Sequence, residues 1–130
     1  MSEPIWIDEH DTLTLHDRLL AEHGGAVGVR DQSLLQSALM RPRQLHAYGD
    51  KTDLVEMAAA YTAGIVRNHP FIDGNKRTAL LATRAFLFLN GYALEPGEED
   101  EVLTMVAVAD DSLSESGLAA WLRRNSARST

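Results

Sequence analysis

The chain has no cysteine, which excludes disulfides and thiolate metal centres and suits a reducing compartment. Its first ten residues carry Ser2, Glu3, Asp8 and Glu9 where a secretion signal has a basic start and an apolar stretch, so this end reads as no export signal. Long apolar runs are missing as well: the longest, residues 57–66, is about half of the roughly 20 residues that a membrane span requires. Together these absences predict a soluble, cytoplasmic protein with no membrane partner. Basic charge is also scarce. Twelve Lys plus Arg stand against nineteen Asp plus Glu, a net charge of −7, and this balance speaks against nucleic acid as a direct partner.

What is present suffices for one folded unit. A length of 130 residues with 45% hydrophobic content predicts a single domain over residues 1–130, burying roughly two-thirds of the surface its unfolded chain exposes. The charge is unevenly spread: Glu98, Glu99, Asp100 and Glu101 form an acidic run, read as a solvated helix start, while Arg67, Lys76, Arg77 and Arg84 cluster. A local anion site therefore fits an acidic protein.

Helical periodicity dominates. Leu13, Leu15, Leu19 and Leu20 predict a first helix over 12–23, stopped by Gly24 and Gly25. Asp31 is the expected N-cap of a second, bearing Leu34, Leu35, Ala38 and Leu39 and ended by Pro42; residues 43–51 then read as a loop or flap. Asp53 and Glu56 have capping-box spacing before a wide apolar face that runs to Arg67. A fourth helix is expected over 75–90, a fifth beginning at Glu98 and Glu99 by their fit to the helix dipole, and a sixth over 114–125. Strand signals are confined to Ile5-Trp6-Ile7 and Tyr92-Ala93-Leu94, and residues 126–130 read as a loose tail. The class is all-α, with about six helices and a short flap or hairpin near the site. His10, His16, His23 and His46 show no metal-ligand spacing and read as structural or surface residues; Trp6 and Trp121 read as core. Arg67 suits the dipole at the end of its helix, and Arg84, about two turns beyond Arg77, reads chiefly as a surface or partner contact.

One segment concentrates chemistry: His69-Pro70-Phe71-Ile72-Asp73-Gly74-Asn75-Lys76-Arg77-Thr78. Taken singly its residues are ordinary turn and first-turn residues. In combination they supply a general base in His69, a carboxylate able to hold magnesium in Asp73, and a glycine, Gly74, that lets backbone approach a ligand. A helix beginning at Asn75 has open amides that favour anions, and Lys76 and Arg77 add full positive charges, so a di- or triphosphate is the natural ligand.

The order His-Pro-Phe-x-acid-Gly-Asn over 69–75 resembles the Fic motif, and the stretch Asn75-Lys76-Arg77-Thr78-Ala79-Leu80 resembles the short Doc, or death-on-curing, branch of the Fic/Doc superfamily. Leu15-His16-Asp17 before Gly24-Gly25 and Phe86-Leu87-Phe88-Leu89-Asn90-Gly91-Tyr92 extend the likeness over nearly the whole chain. The resemblance implies an ATP-dependent enzyme that modifies a protein hydroxyl, with His69 as catalytic base, Asp73 as Mg2+ ligand, and Gly74, Asn75, Lys76 and Arg77 at the nucleotide's phosphates. It also implies that Phe71 anchors the loop to the core. Lys76 stands where adenylyl-transferring members carry glycine, and Leu80 where they carry a second arginine. In Doc-type toxins this goes with a reversed nucleotide and phosphorylation of a threonine on elongation factor Tu, which arrests translation. An AMP transferase is the alternative, and a catalytically silent binding module a weaker one.

Several family members are restrained by a helix of the form Ser/Thr-x-x-x-Glu-Gly/Asn. Thr52 and Glu56 have the first part of this spacing, but Met57 follows, so an internal brake is not expected. Inhibition in trans is expected instead, by an antitoxin segment that folds as a helix into an apolar groove.

Overall fold

The computed structural model describes residues 3–49 and 53–129. In chain order they form α1 (Glu9–His23), α2 (Gln32–Tyr48), α3 (Leu54–Asn68), α4 (Asn75–Leu89), β1 (Tyr92–Leu94), α5 (Glu98–Ala109), α6 (Glu115–Asn125) and β2 (Ser126–Arg128). The all-α expectation holds.

Side-chain caps set where most helices begin. Asp8 opens α1 with a full capping box to Asp11, a turn earlier than its leucines suggest. Asp31, Asp53 and Ser114 each accept the amide three residues on, of Leu34, Glu56 and Gly117, satisfying donors that a helix start leaves open. Among the described helices α3 is the central one. Met57, Ala58, Ala59, Ala60, Tyr61, Thr62, Ala63, Ile65 and Val66 are all buried, and it packs on α2, α4, α5 and α6. A helix apolar on every side belongs inside. Its small residues let α2 come close: a Cβ on Gly64 would stand 3.1 Å from the Cβ of Ala38.

That close packing explains a difference from expectation. Pro42 does not end α2; it is buried inside the helix, which continues to Tyr48. Proline removes a hydrogen bond and crowds the preceding turn, a cost of about 3 kcal/mol, but here both flanks are held. Ala38 meets α3 before the proline, and His46 lies edge-on to Trp6 after it, with ring centroids 5.6 Å apart. Residues 43–48 are thus helical rather than a flap, while Asp50, Lys51 and Thr52 lie outside the described residues.

Two further expectations change. Ile5, Trp6 and Ile7 form no strand, because side chains take the backbone groups a strand partner would have taken. Asn90 exchanges two hydrogen bonds with Ile5, and the Tyr61 hydroxyl accepts from Ile7 N at 3.1 Å and donates to Ile7 O at 3.2 Å. Burial pushes the Tyr61 phenol up to about 12. The chain's end, in turn, is not loose through 128. Residues of β2 pair antiparallel with β1, Tyr92 opposite Arg128 and Leu94 opposite Ser126, giving the backbone of both segments partners that neither has locally. Thr130 lies outside the described residues.

The acidic run at the start of α5 is only partly solvated. Asp100 accepts from Trp121 Nε1 at 2.9 Å and Glu101 accepts from Arg84 Nη2 at 2.6 Å. Arg84 is therefore held within the chain, by Glu101 and the Leu94 carbonyl, rather than presented to a partner. Arg67, in the last turn of α3, reaches Asp111 and the Leu113 carbonyl in the α5–α6 loop.

Candidate active site

Residues His69 to Gly74 join the C-terminus of α3 to the N-terminus of α4, and the loop before α2 clasps them. Pro70 O accepts from the amides of Arg30 and Asp31, at 2.7 and 3.0 Å, and Ile72 N donates to Gly28 O at 3.1 Å. Between these bonds Val29 and Phe71 form an isolated antiparallel bridge. The motif loop is thus built like one edge of a short ribbon whose other edge is residues 28–31.

Phe71 is fully buried, in the anchoring place expected of it. Its ring lies face to face with that of His16, centroids 3.9 Å apart and 11° between planes. His16 is itself buried and its Nε2 donates to Asp73 O at 2.8 Å, so this histidine of α1 grips two residues of the loop. Asn75 closes the inner side. Its Oδ1 accepts from Phe71 N and its Nδ2 donates to Phe71 O, both at 2.9 Å. The Asn75 side chain is accordingly engaged within the loop, and what it offers a phosphate is its main-chain amide.

Asp73 is fixed at both oxygens. Oδ1 accepts from Gly74 N at 2.8 Å and Oδ2 from Ala26 N at 3.3 Å. The second contact needs a bare backbone alongside: a Cβ on Gly25, whose φ is 121°, would stand 2.7 Å from Oδ2. Gly74 has φ 80° and ψ 18° and precedes α4 without a side-chain cap. The amides of Asn75, Lys76 and Arg77 have no acceptor among the described residues; the first turn closes only with Thr78 N to Gly74 O at 2.9 Å. Lys76 and Arg77 are exposed and form no ion pair among the described residues. Three open amides, two exposed cations and an oriented carboxylate thus lie within five consecutive residues at one end of the loop, with exposed His69 at its other end.

The donor set fits magnesium. Each Asp73 oxygen has a lone pair left after its backbone bond, and among the described residues no three His, Cys, Asp or Glu side chains gather to cage an ion. Binding through one carboxylate, completed by phosphate oxygens and water, is a mode Mg2+ adopts readily.

The model of the Fic/DOC family matches residues 6–87, from the segment before α1 through most of α4. The chain belongs to the Fic/DOC family. It is 36% identical over 118 residues to the protein kinase doc of Escherichia phage P1, covering 91% of this chain and 93% of that one. It is also 36% identical over 114 residues to toxin Doc of Mycolicibacterium smegmatis, covering 83% and 85% respectively.

The structure brings His69, Asp73, Gly74, Asn75, Lys76 and Arg77 onto one loop and helix start, as their adjacency in sequence requires. Sequence reading gave no role at the site to the residues that hold them: His16, classed with the other histidines, Gly25, read as a helix stop, and Ala26 and Arg30. A signal for His16 existed. It lies at helical spacing from Leu13, Leu19 and Leu20, a polar ring on the apolar face of α1, where a buried partner is required. Ala26 acts through its main-chain amide, and the Arg30 guanidinium and amide reach main-chain carbonyls far along the chain, partners that no local pattern announces. Beside the site, a groove of about 660 Å³ between α1, α4 and α5 is lined by Leu19, Arg77, Leu80, Val102 and Leu103 among others.

Proposed function

We propose that this protein is a Doc-type toxin that transfers the γ-phosphoryl group of ATP to a hydroxyl of a target protein. The observation that carries this is the amino end of α4, where three open amides and the exposed cations Lys76 and Arg77 follow directly on the fixed carboxylate of Asp73. A helix N-terminus with added cations stabilises phosphate oxygens. The names of its relatives, a protein kinase and a toxin, support the same reading.

His69 takes the proton of the incoming hydroxyl as its oxygen attacks the γ-phosphorus. The bond to the β–γ bridging oxygen breaks, ADP leaves and the target carries a phosphate monoester. Because such a transition state asks mainly for in-line positioning and charge stabilisation, amides and cations held on a rigid helix start suit it. Bound at Asp73, Mg2+ supplies further neutralisation of phosphate charge. Leu80, one turn into α4 beyond Arg77, packs partly buried against the core and gives the nucleotide's far phosphates no charge, which favours the reversed nucleotide over the adenylylating one.

In this reading the target is elongation factor Tu, modified at a threonine, and the growth arrest follows from halted translation. An antitoxin restrains the enzyme in trans, its segment folding as a helix into the groove between α4 and α5, where Val102, Leu103 and Val106 are exposed beside Arg77.

The test uses ATP labelled at either phosphate, with the target factor and magnesium. Label from the γ-phosphate is expected on the protein, none from the α-phosphate, together with an intact-mass gain of one phosphate. His69→Ala is expected to lower the rate by about 10²–10⁴, the usual contribution of a positioned base, without unfolding the chain. An AMP-sized adduct overturns phosphoryl transfer in favour of adenylylation, and a His69→Ala variant as fast as the parent removes the base assignment.

A further inference from the structure

Arg30, the last residue of the loop before Asp31 caps α2, makes contacts that the chemistry above does not use. Its Nε donates to His69 O at 2.7 Å and its Nη2 to Asn68 O at 2.9 Å, so one planar guanidinium spans two consecutive carbonyls. Its main-chain amide donates to the next carbonyl, Pro70 O. These carbonyls end α3, where helix geometry leaves acceptors without partners and the macrodipole is negative. A rigid fork of donors matches such a pair of oxygens, which a single ammonium does not.

What lies between those carbonyls is a strained residue. His69 has φ 52° and ψ 54°, a left-handed conformation that side-chain-bearing residues rarely adopt. Pro70 follows it, and a residue before proline is pushed toward extended backbone and away from helical values. Two local preferences therefore oppose the conformation at His69, and such a residue persists only where its surroundings over-determine it. From within α3 the hold is the cap bond His69 N to Ile65 O at 3.1 Å. Across the fold it is the Arg30 fork, and the side chain of Asn68 adds a bond to Leu34 O at 2.9 Å. The stakes are directional: moving φ from positive to negative swings the Cα–Cβ bond to the other side of the backbone, and with it the imidazole.

We propose that Arg30 is a positioning residue for His69, which locks the left-handed turn at the end of α3 by bridging the Asn68 and His69 carbonyls and so fixes where the imidazole points. Arg30 acts through the backbone and touches no reacting atom. Its effect on rate rests on the reading of His69 as the base; its effect on the His69 backbone does not.

The experiment compares the full-length parent with Arg30→Met and Arg30→Lys, each read by NMR and by kinetics. In the parent, the amide-to-Hα cross-peak and carbon shifts of His69 should report a left-handed residue. Arg30→Met is expected to lose that signature, and Arg30→Lys, which keeps charge but not the fork, to lose it in part. In parallel, kcat is expected to fall by about 10–100-fold, the scale of a catalytic group displaced by up to an ångström, while KM for ATP with magnesium stays at the parent value because the α4 amino end is untouched. A His69 backbone that stays left-handed in Arg30→Met overturns the proposal, as does a rate loss that appears in KM alone. If the parent modifies no protein, the proposed function fails, and the NMR comparison still decides the role of Arg30. Should Arg30→Met fail to fold, Arg30→Lys alone decides: a His69 signature identical to the parent's overturns the proposal.

Discussion

At the C-terminal end of α3 the carbonyls of Asn68, His69 and Pro70 all receive donors from Arg30 or Asp31, whereas at the N-terminal end of α4 the amides of Asn75, Lys76 and Arg77 have no acceptor among the described residues. The same short loop separates the two. At the first end these three consecutive carbonyls are tied to another part of the fold, which suits a group whose direction matters more than its affinity. The second end keeps its donors open, which suits a ligand that brings its own negative charge. Rigidity and vacancy are thus placed at opposite ends, and substitutions at the two ends are expected to differ in kind: those in the clamp change stability and rate, those at the open end change nucleotide affinity.

The largest effect is expected from Phe71→Ala, which removes the side chain that seats the loop in the core. Emptying a buried phenylalanine site costs about 3–5 kcal/mol, read as a lower urea midpoint, and activity should fall with it as the stack on His16 is lost. A midpoint within error of the parent would mean that the clamp does not depend on this anchor. Asn75→Ala comes next. It leaves the buried amide and carbonyl of Phe71 without partners, a loss of about 1–3 kcal/mol by the same measurement. An equally stable Asn75→Ala would show that water serves these groups as well as the side chain does.

The smallest effects on the fold sharpen the contrast at the open end. Lys76→Ala and Arg77→Ala remove exposed cations that form no ion pair among the described residues, so stability should stay within about 0.5 kcal/mol of the parent. Affinity for ATP with magnesium is expected to weaken about 10–150-fold in each, since a hydrogen bond to a charged group contributes about 1.5–3 kcal/mol. Calorimetric titration checks this, and the comparison between the two ends breaks if either variant loses stability while binding nucleotide as tightly as the parent.

The sequence by itself determined the helical class, because the apolar periods and the capping residues Asp31, Asp53 and Ser114 act within a turn of where they stand. It also determined which residues meet at the site, since 69–77 are contiguous and a glycine at 74 followed by a helix start dictates open amides next to Lys76 and Arg77. Its misreadings arose where a distant surface overrode a local preference. Pro42 is carried inside α2 because α3 and Trp6 hold both of its flanks, and residues 126–128 become a strand because β1 stands beside them. Only the tertiary structure decided how the loop is held: His16 from α1, Ala26 and Arg30 from the α1–α2 loop, at separations of 57, 47 and 39 residues from the atoms they bond. Each of those bonds has a main-chain group at one end and a partner far along the chain at the other, so residue type does not announce the pairing, and they exist only once the packing of α1 on α4 and of α2 on α3 has brought these segments within hydrogen-bonding distance.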